Sequence, residues 1–176
     1  VMEEVGFEGS LEEFFEFVNT DPQFFFDEPD QLIQGYRDMS DHVTTLAKKL
    51  FDVDPKTGFE VRRVEPFREK SASGGSYQAG TPDGSRPGIF YANAYDIKAR
   101  PKWAMESLYL HEAIPGHHFQ IALQQENEDI PQFRRFARFT AYSEGWGLYA
   151  ESLGKEIGVY TDPYQYFGAL NAELWR

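Results

Sequence analysis

Cysteine is absent from the chain, which rules out disulfides and thiolate metal ligands alike. Basic residues are scarce: 17 Lys plus Arg stand against 29 Asp plus Glu, a formal net charge of -12. Such an excess repels phosphate backbones and argues against a nucleic-acid partner. No apolar run reaches the ~18 residues of a membrane span, and no signal-peptide pattern is present. Internal repeats and low-complexity tracts are missing too, so the 176 residues read as a single domain with room for a real core.

Aromatic residues, by contrast, are abundant. Sixteen Phe and ten Tyr need either a large core or contact with protein outside this stretch. The chain starts at Val1-Met2 with no initiating Met and stops at Leu174-Trp175-Arg176 inside an amphipathic pattern. It therefore reads as a fragment of a larger helical fold, with the remainder of the same polypeptide as its first expected partner.

Residues 1–54 carry helical signals. Ser10-Leu11-Glu12-Glu13 fits a capping box, and Phe24-Phe25-Phe26 reads as core. A long helix starts near Pro29, with Leu32, Tyr36, Met39, Val43, Leu46 and Leu50 forming one buried stripe. His42 on that helix has no chelating neighbour and reads as structural. After the turn at Asp54-Pro55-Lys56-Thr57-Gly58 the period changes, and residues 59–95 read as a small β layer. Its strands are Phe59 to Pro66, Gly75 to Ala79 and Gly88 to Ala94. The turn-rich loop between the last two is either a plain hairpin connection or part of an edge that pairs with an extended peptide.

Residues 101–176 return to helix, with Asp162-Pro163 opening the last one. Arg134, Arg135 and Arg138 read as a solvated face. The expected architecture is mainly α with a small antiparallel β-sheet, an α+β fold in which the sheet lies close to a metal-bearing helix.

That helix carries Leu110-His111-Glu112-Ala113-Ile114-Pro115-Gly116-His117-His118, which holds three of the four histidines. In the H-E-x-x-H motif, histidines at i and i+4 share a helix face and grip one zinc, while the glutamate acts as base. Here His117 follows His111 by six residues. On a regular helix that step is about 9 Å of rise and roughly 240° of rotation, and the rings would diverge. Pro115 breaks the ladder and Gly116 relaxes the backbone, so a kink can return His117 to the ligand position. His118 is the rival, at about 10.5 Å of rise. His117 is favoured as ligand, with His118 in a supporting or substrate-contacting role.

A third ligand is expected, and Glu144 in Ser143-Glu144-Gly145-Trp146-Gly147-Leu148-Tyr149-Ala150-Glu151 supplies it. A helix from His117 to Asn127 and an antiparallel return from Pro131 place Glu144 about 4.5 Å past the level of His117, between the two histidines. Gly145 and Gly147 suggest close packing beside the site. Glu151, seven residues on and on the same face, could orient a ligand or bind a substrate amine.

The motifs HEAIPGHH and SEGWGLYAE, together with Pro82-Asp83-Gly84-Ser85-Arg86-Pro87-Gly88-Ile89-Phe90-Tyr91, closely resemble a bacterial family catalogued as domain of unknown function 885. Its members look like zinc-peptidase relatives in which a downstream glutamate completes the site. The resemblance implies a zincin-like metal-helix architecture and export from the cell. With the residues themselves it leads to one expectation: a zinc metallopeptidase cleaving peptide amides, with His111, His117 and Glu144 holding Zn2+ and Glu112 as general base. Tyr91, Tyr77 or Arg86 would stabilise the oxyanion. The alternatives are a zinc hydrolase acting on a small amide or ester substrate, or a binding module whose metal site is vestigial.

Overall fold

Ser10 opens the first helix as a capping box, its hydroxyl accepting from the Glu13 amide and its own amide donating to the Glu13 carboxylate. The computed structural model describes residues 1–175. Helix α1 (Leu11–Thr20) buries Phe14 and Val18, and α2 (Pro29–Ala47) buries Leu32, Ile33, Tyr36 and Val43. The stripe of α2 ends sooner than its periodicity suggests. The helix stops at Ala47, and Leu50 is left exposed in the following turn. His42 is exposed, in keeping with a structural role.

Three strands follow: β1 (Phe59–Arg63), β2 (Gly75–Gln78) and β3 (Gly88–Ala92). The sheet order is β1-β3-β2, and the sheet is mixed rather than antiparallel. β2 and β3 pair antiparallel across the 79–87 loop, as a hairpin must. β1 pairs parallel with β3, because residues 64–74 are long enough to carry the chain past β3 to its far side. β2 is thereby an edge strand.

The remaining helices are α3 (Met105–Glu112), α4 (His117–Glu126), α5 (Gln132–Phe136), α6 (Thr140–Ile157) and α7 (Pro163–Leu174). Asp162 caps α7 by accepting from the Tyr164 amide, and Pro163 takes its first turn. The expected single helix from Pro131 into the Glu144 region is instead two. Residues 137–139 are extended between α5 and α6, because α4 holds the linker: the Gln124 amide donates to the carbonyls of Arg134 and Ala137.

The main core lies between α2, the sheet and α3, where Tyr36, Phe90, Tyr109 and Leu110 meet. A second, largely aromatic core gathers Phe14, Phe24, Phe25, Trp103 and Phe167, and the Trp103 indole donates to the Val18 carbonyl. This accounts for much of the aromatic load and confirms Phe24 and Phe25 as core. Phe133 and Phe139, by contrast, are 74% and 68% exposed, so the helical spacing of aromatics after Pro131 marks no buried stripe. No helix among the described residues is long and apolar enough to cross a membrane.

Candidate metal centre

Helix α3 delivers His111 and Glu112 in its last turn and then stops. Ala113 (φ -109, ψ -107) and Gly116 (φ -76, ψ -131) turn the chain through a corner, and α4 begins at His117. Gly116 has no alternative there: a Cβ would fall within 2.2 Å of the carbonyls of Leu110 and His111. The two histidines therefore belong to different helices. Their rings meet edge to face, with centroids 4.6 Å apart. From α6, Trp146 donates its indole N–H to the Pro115 carbonyl at 2.7 Å and clasps the corner.

Helix α6 also brings Glu144 to the histidines. One carboxylate oxygen lies 3.3 Å from His111 Nε2 and the other 3.6 Å from His117 Nε2. One donor atom from each of His111, His117 and Glu144 fits within 4.8 Å of the others. Donors about 2 Å from a tetrahedral zinc stand about 3.3 Å from one another, so the three residues are of the type and proximity that could hold the metal after a small closing of the cluster. Glu144 comes beside both histidines, as expected, but not along the single helix from Pro131 on which its level was counted.

Behind the donors lies a supporting layer. Glu151 accepts from His111 Nδ1 at 2.6 Å and from the Ser107 hydroxyl at 2.7 Å. Glu151 thus orients the His111 ring through Nδ1 and turns Nε2 towards Glu144. Ser107 is not singled out by the sequence, although its place one helical turn before His111 puts it on the same face. Gly147 packs directly beneath the His111 ring, whereas Gly145 has nothing within 4 Å. Only the first of the two glycines owes its presence to close packing. Nδ1 of His117 is buried with no hydrogen-bond partner among the described residues.

Electrostatics follow from burial and from three carboxylates in a small space. Burial pushes Glu112 up to about 7, helped by the charges of Glu144 and Glu151 and opposed by His111 and the Tyr77 backbone amide. Burial also disfavours charge on His111, but the hydrogen bond and charge of Glu151 outweigh it and its pKa rises. His117 shifts down, through burial and then the neighbouring His111 charge.

His118 is buried with its ring against Phe59, and its Nδ1 pairs with the Tyr77 hydroxyl at 3.0 Å. It ties α4 to the sheet and stands outside the donor cluster. Tyr77, on the edge strand, faces the same side as its partner Phe90 and lines a cleft with His117 and Glu144. Burial raises its hydroxyl to about 12, against the charge of Arg138. The other two oxyanion candidates lie elsewhere. Tyr91 is on the opposite sheet face beneath the Arg68 guanidinium, and Arg86 stays in the 79–87 loop, reaching the Ala79 carbonyl. Arg134 and Arg138 are exposed, as a solvated face requires, and Arg135 is half-buried; Arg135 and Arg138 also line the cleft beside the His111–His117–Glu144 cluster.

The family model described as "Bacterial protein of unknown function (DUF885)" matches residues 1–176. A crystal structure of a lipoprotein candidate from Colwellia psychrerythraea is 36% identical and superposes with a TM-score of 0.91. That match covers 98% of this chain and 31% of the other, so the chain spans about a third of that relative's length. No match is found among curated proteins.

Proposed function

We propose that this chain, which belongs to the bacterial family DUF885, is the metal-bearing part of a zinc-dependent hydrolase that cleaves peptide amide bonds. The observation that carries the reading is the convergence of His111, His117 and Glu144 from three helices, with Glu112 beside them and Glu151 behind. Zinc bound there would supply a Lewis acid that acidifies water and polarises a carbonyl.

The chain's own residues do the rest. Glu112, with a pKa raised to about 7, is suited to take a proton from the attacking water and return it to the leaving amine. Glu151 and Ser107 keep the His111 ring turned so that Nε2 faces the donors. Tyr77 lines the cleft with His117 and Glu144, and its hydroxyl would serve a developing oxyanion by leaving its His118 partner. A purely structural site would need neither Glu112 nor an open side. The likeness to a lipoprotein candidate supports an exported location.

The test is elemental analysis and turnover on protein purified without chelator or metal-affinity resin. About one zinc per chain is expected, with hydrolysis of a quenched-fluorescent peptide library that chelation abolishes and zinc restores. A panel of esters and small amides run beside it identifies the non-peptidase alternative. Metal-free protein that takes up no added zinc overturns the reading.

A further inference from the structure

We propose that the cleft beside the metal centre receives a carboxylate of the substrate, and that Arg138 is the residue that holds it. The inference rests on the hydrolase reading for placing the scissile amide at the metal. The rest of it stands on the cleft itself.

The cleft is lined by His117 and Glu144 together with Arg135, Arg138 and Tyr142. Glu144, a metal donor, is the single carboxylate in the lining. Two guanidinium groups in one small cleft are a local reversal in a chain with 29 acids against 17 bases. Field lines converge in such a concave site, so a substrate anion is drawn to it although the protein as a whole repels one.

The two guanidiniums are not equivalent. Arg135 donates from two nitrogens to the Gln125 carbonyl and lies over the Phe136 ring, so it is already committed to structure. Arg138 has no carboxylate within 4.0 Å among the described residues, nor a hydrogen bond to them. Its backbone is nonetheless held. Gln124 binds the carbonyls of Arg134 and Ala137, which sets the extended residues just before α6 and aims position 138 at the cleft. A positioned linker that ends in an uncommitted guanidinium is suited to bidentate recognition of a carboxylate. That carboxylate is either the free C-terminus of a peptide or an acidic side chain near the cleaved bond. The chemistry at Arg138 is the same for both.

Binding is measured with zinc-loaded Glu112→Gln protein, which retains the donors while turnover is suppressed. An N-acetylated tripeptide is offered as the free acid, as the amide, and as the amide with Glu in place of its middle residue. The acid should bind about tenfold more tightly than the plain amide. Tight binding of the Glu-containing amide instead would identify a side-chain carboxylate as the ligand. Arg138→Gln should erase either preference, Arg138→Lys should keep part of it, and Arg134→Gln, outside the cleft, should leave it intact.

Equal binding of all three peptides to the Arg138 protein overturns the inference, as does a preference that survives Arg138→Gln, or no binding of any of them. A parallel turnover assay with the Glu112 protein separates this failure from that of the hydrolase reading. Hydrolysis without carboxylate preference sinks the Arg138 role alone. A carboxylate preference in binding without hydrolysis leaves Arg138 in place and sinks the hydrolase.

Discussion

The imidazole of His111 rests on Gly147 with no room for a methyl group between them: a Cβ at position 147 would lie 2.6 Å from Cε1 and 2.7 Å from Nε2. Gly147→Ala must therefore push the ring out of the donor cluster while leaving every donor in the sequence. Zinc affinity should fall tenfold or more, read by competition with a chromophoric chelator. Gly145→Ala, on the same helix but in open space, should leave zinc affinity unchanged and stabilise α6 by roughly 0.5–1 kcal/mol. Equal metal affinity in the two variants would show that the ring does not depend on that floor.

Base and ligand separate in a second pair. Glu112→Gln keeps shape and removes the basic carboxylate, so zinc should stay while turnover drops about 10²–10⁴-fold. Glu144→Gln replaces an anionic donor with a neutral amide, so zinc should be lost along with activity. The reverse pattern of metal contents would mean that the two roles are assigned backwards.

Glu151→Gln tests the layer behind the donors. The amide weakens the hold on His111 Nδ1, and metal affinity should fall about 10–100-fold with the donor set unchanged. Ser107→Ala, which removes only one of the Glu151 contacts, should cost less. Isothermal titration with zinc ranks the two. A larger loss from Ser107→Ala would mean that Glu151 is not the main support of the ring.

Glu106 makes stability depend on pH. Its carboxyl is pushed up to about 8 by burial and then by Asp162, and Oε2 is buried without a hydrogen-bond partner. A raised carboxyl pKa means that the folded chain holds its proton after the unfolded chain has lost it. The contribution of Glu106 is then fully present below its ordinary value of 4.5 and is lost as pH rises through about 8. Tm should fall across that interval, and Glu106→Gln should flatten the slope. A variant with the wild-type slope would place the titration elsewhere.

The clustering of His111, His117 and Glu144 was legible in the sequence because residue type restricts candidate ligands more tightly than fold does. His111, Glu112 and His117 stand out by type and spacing, and the Pro115-Gly116 break is itself a local signal. Glu144 was reached from its residue type and a rise count that took the return from Pro131 as one helix, which the structure divides into α5 and α6. What escaped was set by contacts distant in sequence. The parallel pairing of β1 depends on where residues 64–74 cross, which strand composition does not encode. The split between α5 and α6 is made by Gln124 from another helix, which leaves the exposed Arg138 at the edge of the cleft.

His111, His117 and Glu144 sit on three helices that are joined at this end by a corner, a clasping indole and side-chain packing. If the cluster holds zinc as proposed, zinc affinity is a gauge of how well those helices are docked. A change deep in the main core, at Leu110 for instance, moves α3 against α6 and is registered as a weaker grip on metal without touching a donor. By linkage the gauge also works in reverse: whatever free energy docking lends to the metal, the metal returns to docking. Removal of bound zinc should then let this end of the bundle open more readily, and hydrogen exchange should quicken at the amides of α4 next to the corner.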